Sequence, residues 1–158
     1  MDKSHNEHMI TPQQLPRADP CAGTLQCNFR IAKADEEQQL IFGWASVAKR
    51  ADGEVVTDWQ DDIIEIGELE AAAYDYVLHS REGGERHERG GTATLIESFV
   101  VTKEKQAALG IPDGILPEGW IVGFKVTDEA VWKKIKNGTY SCFSIEGRAV
   151  REKIDERR

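Results

Sequence analysis

Histidine is scarce in this chain and cysteine is scarcer. Cys21, Cys27 and Cys142 are spread over 158 residues without a CxxC pair, which argues against a zinc site built on thiolates. An odd cysteine count with no signal-peptide pattern fits free thiols, and Cys142 reads first as a small residue filling a strand position. No apolar run approaches the roughly 18–20 residues that span a bilayer. The expectation is a cytoplasmic protein with no membrane partner. Basic residues are also in the minority: 20 Lys and Arg stand against 28 Asp and Glu, a formal net charge of −8. Phosphate backbones want clustered Lys and Arg, so nucleic acid is not expected as a partner.

What is present is enough for one domain with a sizeable core. Residues 1–24 hold Pro12, Pro16, Pro20 and Gly23 among scattered charges and read as a flexible arm. Residues 25–152 read as the folded domain, and 153–158 as a charged tail. Strand patterns cover Cys27–Lys33, Gln39–Val47, Glu54–Thr57, Thr94–Val101, Gly119–Val126 and Thr139–Arg151. Leu69, Ala72, Ala73, Tyr76 and Val77 share one helical face, with Gly83-Gly84 as its stop. Thr102 is placed to cap a short helix over Lys103–Leu109, and Thr127 to cap another that ends at Asn137-Gly138. No repeat occurs, and the phosphate-binding glycine fingerprint follows none of the strands. The pattern predicts an α+β fold: a mostly antiparallel sheet, closed into a β-barrel or strongly curved, with about three helices packed outside it.

The segment Tyr140-Ser-Cys-Phe-Ser-Ile-Glu-Gly-Arg148 carries the chemistry. On a strand with period two, Phe143 and Ile145 face a core, while Cys142 and Ser144 face the other way. A serine there attacks an acyl group only if a base takes its proton. His5 and His8 lie in the arm and His79 ends a helix, so the base candidate is His87, in the loop Gly83-Gly-Glu-Arg-His-Glu-Arg-Gly-Gly91.

The runs Phe42-Gly-Trp-Ala-Ser-Val47, Asp58-Trp-Gln-Asp-Asp-Ile-Ile64, Leu69-Glu-Ala-Ala-Ala-Tyr74, Glu97-Ser-Phe99, Gly119-Trp-Ile-Val-Gly-Phe124 and Phe143-Ser-Ile-Glu-Gly147 resemble, in order, the XkdF-like family of phage serine proteases. The resemblance covers about residues 27–151. It implies kinship with prohead maturation proteases and, more distantly, herpesvirus assemblins: serine endopeptidases with a β-barrel, histidine before serine, and no cofactor. It implies phage scaffolding and major capsid proteins as substrates and partners, and self-association. It places the protein in the cytoplasm of a bacterial host, within the assembling prohead. Assemblins add a second histidine after the serine. No histidine follows His87 here, so either a carboxylate or hydroxyl orients it or the site is a dyad.

The expected site is therefore Ser144 as nucleophile and His87 as base, with Glu97 as the orienting carboxylate. Glu97 lies between Leu95 and Phe99 on one strand face, where an unpaired charge is costly. Ser98 and Cys142 are alternative catalytic residues. Gly147 and Arg148 are the position-level candidates for the oxyanion region. Asp58, Asp61 and Asp62 could hold a metal in a rival, metal-assisted hydrolase, although a solvated turn ahead of a helix explains them better. No metal is assigned. The alternative function is a catalytically inactive capsid-assembly or scaffold-associated domain.

Overall fold

Alternating apolar residues build the sheet first. In the computed structural model, which describes residues 29–57, 62–147, 150 and 152, β1 (Phe29–Asp35) and β2 (Leu40–Lys49) form a hairpin, its turn held by Gln38 N–H donating to Asp35 Oδ1 at 3.0 Å. Helix α1 (Ile66–His79) follows, then β3 (Glu82–Glu85), β4 (Arg89–Val101), α2 (Lys103–Ala108), β5 (Glu118–Val126), α3 (Glu129–Lys136) and the two-residue β6 (Cys142–Phe143). The strand order is β3-β4-β5-β2-β1-β6, and every pairing is antiparallel.

One face of this sheet carries the core. Val122 and Trp120 of β5, Leu95 and Val100 of β4 and Ala45 of β2 pack under Leu69 and Ala73 of α1. Ile41, Ala93 and Val126, further along the same face, pack under Val131 and Trp132 of α3. The opposite face leaves Phe42 and Phe99 exposed. Thr102 caps α2, accepting from Lys105 N–H at 3.2 Å. The cap of α3 is Asp128, which accepts from both Ala130 and Val131 N–H at 2.9 Å. Thr127, expected there, instead donates its hydroxyl to Thr92 O at 3.1 Å.

The expected barrel is corrected: the sheet is open. Five strands run β3-β4-β5-β2-β1, two-residue β6 adds to β1, and no ladder joins β3 to β6. Among the described residues, the predicted final strand over Thr139–Arg151 is paired only at Cys142 and Phe143, opposite Arg30 and Phe29. It is too short to close anything. Instead of a strand, Glu54–Thr57 contributes isolated bridges, Lys49–Val55 and Thr57–Ile63. Strand β3 takes the place of the helix stop expected at Gly83-Gly84. Glycine is required at Gly83 because a Cβ would sit 2.9 Å from Ala93 Cβ and 3.2 Å from the Phe124 ring. The predicted arm, residues 1–24, and tail, residues 153–158, lie outside the described residues.

Candidate active site

Two non-adjacent stretches build the site, one from each edge of the sheet. Between β3 and β4 the chain reverses over Glu85–Glu88, closed by Glu88 N–H donating to Glu85 O at 3.0 Å. Arg86 and His87 hold φ of +54° and +59°. Two successive positive φ values at the central positions define a type I′ turn, the form that matches strand twist in tight hairpins. Non-glycine residues seldom sit there, and the observed geometry throws the imidazole off the end of the hairpin.

At the other edge, the chain leaves β6 at Phe143 and runs unpaired through Ser144, Ile145, Glu146 and Gly147. His87 Nε2 lies 2.8 Å from Ser144 Oγ, and His87 Nδ1 lies 3.2 Å from Glu146 Oε2. A single tautomer satisfies both contacts: Nδ1–H donates to the carboxylate and Nε2 accepts from the hydroxyl. That is the arrangement in which a serine can pass its proton to imidazole while a carboxylate fixes the ring. The group is open to solvent, with the His87 side chain 40% and Glu146 69% exposed.

The other sequence candidates fall elsewhere. Glu97 stands beside Gly123, its Oε2 2.8 Å from where a Cβ would be, and pairs with it across β4 and β5. Gly123 lies between the core-facing Val122 and Phe124, so Glu97 is on the outer face, away from His87. A register shift between Leu95 and Glu97 places Ile96 in a bulge, which breaks the alternation that put Glu97 with Leu95. Ser98 pairs with Val122, is itself exposed, and accepts from Trp120 Nε1–H at 2.9 Å. Cys142 is a free, half-buried thiol on β6. Gly147 is exposed with open space around its Cα. Arg148, Asp58 and Asp61 lie outside the described residues. Asp62 is described, and among the described residues no three His, Cys, Asp or Glu side chains group as metal ligands would.

Glu146, which sequence reasoning did not single out, is the carboxylate that the structure brings to His87. The signal was present: Ser144 and Glu146 are two apart on an extended segment, so the parity that selected Ser144 selects Glu146 as well.

A cleft of about 740 Å³ opens beside the group, lined by His87, Ser144 and Glu146 at its rim. It runs between α1 and α3 over Val122, Phe124 and Val126 of the sheet. Glu85, the first residue of the turn, also lines it. Lys134, Tyr140 and Arg89 hold the Glu85 carboxyl down at about 2 against an ordinary 4.5, with the lysine contact the largest cause.

The model of the family described as "Putative phage serine protease XkdF" matches residues 28–153. The chain belongs to this family. It is also 27% identical over 120 residues to the Bacillus subtilis (strain 168) protein YqbD, described as uncharacterized; the match covers 75% of this chain and 34% of that protein. The chain thus spans about a third of the length of that curated relative. No solved structure matches.

Proposed function

We propose that the chain is a serine endopeptidase of phage prohead maturation, with Ser144 as nucleophile, His87 as base and then acid, and Glu146 as the orienting carboxylate. The observation that carries this reading is the pair of contacts on His87, 2.8 Å to Ser144 Oγ and 3.2 Å to Glu146. In the reaction, Ser144 Oγ bonds to the scissile carbonyl carbon as its proton passes to His87 Nε2. The tetrahedral intermediate collapses, the C–N bond breaks, and the same proton goes to the leaving amine. Water then attacks the acyl-enzyme by the reverse use of His87, releasing Ser144. Glu146 stabilises the transient imidazolium and keeps Nε2 aimed at Ser144.

The substrates in this reading are extended segments of scaffolding and major capsid proteins within the assembling prohead, in the host cytoplasm. The family description supports the phage setting and the serine chemistry. A cleft with apolar sheet residues for its floor suits a peptide side chain. The chain's own N-terminal segment is a further substrate. Strand β1 starts at Phe29 opposite Phe143, one residue before Ser144, so the sequence ahead of it joins the fold beside the nucleophile. Self-association accompanies the activity.

Labelling of concentrated protein with a fluorophosphonate, with the adduct mapped by peptide mass spectrometry, tests the reading. The expected result is an adduct on Ser144 that is lost in both Ser144→Ala and His87→Ala. An adduct on Ser98 would retain the protease and overturn the site. No adduct in any sample would leave a capsid-assembly domain without activity.

A further inference from the structure

The two stretches that carry His87 and Ser144 belong to opposite edges of an open sheet, and no backbone ladder fixes one against the other. Their spacing must be held by side chains, and one group is placed to do this. Glu85, at the first position of the His87 turn, has a side chain only 13% exposed. Its Oε1 accepts from Tyr140 OH at 2.6 Å and from Lys134 Nζ at 2.5 Å. Its Oε2 accepts from Arg89 at 3.0 Å. Arg89 reaches on to Asp128, the cap of α3, at 2.9 Å. Tyr140 lies four residues before Ser144, and Lys134 is in the last turn of α3. Glu85 therefore ties the turn that presents the base to the segment that presents the nucleophile.

We infer that Glu85 and Tyr140 form a latch that sets the distance between His87 and Ser144, with Glu85 as a positioning residue rather than a catalytic one. This rests on the protease reading of the site. Charge-assisted hydrogen bonds are short and directional, and three donors on one carboxylate leave it little freedom to shift. A misplacement of about 1 Å between base and nucleophile is enough to cost about a hundredfold in rate. The Tyr140 ring packs against the core cluster under α3, so the latch is cut with Tyr140→Phe, which keeps that ring and removes only the hydroxyl that reaches Glu85.

The test uses the full chain with Glu85→Gln, Tyr140→Phe, the double variant, and Glu70→Gln as a control. Glu70 pairs with Lys105 between α1 and α2 at 2.6 Å, away from the site. The second-order rate of fluorophosphonate labelling at Ser144 should fall about tenfold to a hundredfold in each latch variant. The two effects should fall well short of multiplying in the double variant, since the Glu85–Tyr140 contact is common to both substitutions. Glu70→Gln should label at the parent rate. Tyr140→Phe, which loses one oxygen, decides the matter if Glu85→Gln fails to fold. Parent-like rates in the latch variants, effects that multiply in the double, or equal slowing by Glu70→Gln would each overturn the inference.

A second readout needs no activity. In nitrogen-15 imidazole spectra, Ser144→Ala should shift the His87 signals in the parent and leave them unmoved in the Tyr140→Phe background. If the parent is never labelled, the protease reading fails while these spectra still decide the latch. A Ser144→Ala shift equal in both backgrounds, or absent from the parent, overturns it.

Discussion

Two carboxylates compete for the role beside His87, and a pair of single substitutions separates them. Glu146 Oε2 lies 3.2 Å from His87 Nδ1, whereas Glu97 stands on the outer face against Gly123. When Ser144 gives up its proton, the imidazolium forms with its charge centre roughly 4 Å from the carboxylate. Attraction at that distance amounts to about 1 kcal/mol in water and about 4 kcal/mol at an effective dielectric constant of 20. Because the Glu146 side chain is 69% exposed, the lower part of that range applies, about 1–2.5 kcal/mol. Glu146→Gln should therefore slow labelling of Ser144 by roughly 5- to 70-fold. Glu97→Gln should stay within about twofold of the parent. The assay is the second-order rate of fluorophosphonate adduct formation, followed at about 0.1 M and 1 M salt. An exposed pair is screened as the Debye length shrinks, so the gap between parent and Glu146→Gln should narrow at the higher salt. A slow Glu97→Gln beside an unaffected Glu146→Gln would refute the assignment, and so would two unaffected variants.

Gly119→Ala should destabilise the fold by about 1–3 kcal/mol in urea titration, since the new Cβ would overlap the carbonyl oxygen of Ser46 and lie 2.9 Å from Val47 Cα. Ser98→Ala should lower stability by no more than about 1 kcal/mol, because Ser98 is exposed and water can take its place at the Trp120 N–H, while labelling of Ser144 is unchanged. Acid should weaken the fold through Glu85. Its carboxyl is held at about 2 in the folded chain against 4.5 ordinarily, so the unfolded chain binds that proton more tightly. The stabilisation is complete above about pH 4.5 and is lost as pH falls towards 2. Urea midpoints of the parent should decline over that window, and more steeply than those of Glu85→Gln.

Long periodic elements were legible in the sequence, and short ones decided by backbone geometry were not. The helical face of Leu69, Ala73 and Tyr76 and the strands around Trp44 and Val122 depend on repeated apolar spacing, which the chain displays openly. Strand β3 is four residues with two glycines, Gly83 and Gly84, and carries no alternation to read. Its glycines read as a stop because the reason for Gly83, a close approach to Ala93 and Phe124, is a tertiary contact. The same limit governs the site. His87 was singled out by elimination and Ser144 by parity, which also reaches Glu146, but the Glu97 expectation depended on unbroken alternation through Ile96. With Ile96 in register, Glu97 would share a face with Leu95; with Ile96 bulged, it joins Phe99 on the outer face.

The missing final strand links the fold to the chemistry. Had the ladder continued from Cys142 to Arg151, the backbone of Ser144 and Glu146 would be tied into pairing with β1. A regular strand would still put both side chains on one face, but about 6.5–7 Å apart along it. A single imidazole must lie within hydrogen-bond reach of both. Leaving the ladder after Phe143 frees the segment to bend, so that Ser144 reaches Nε2 while Glu146 reaches Nδ1. The open edge that defeats the barrel expectation is thus what allows one histidine to engage two residues of the same short segment. The freedom gained there must be restrained elsewhere, and the restraint lies in Glu85, Tyr140, Lys134 and Arg89 rather than in backbone pairing. Polar side-chain bridges between edges can be altered one at a time without unfolding the sheet. The geometry of this site should therefore be more sensitive to single substitutions at those four positions than the stability of the domain is.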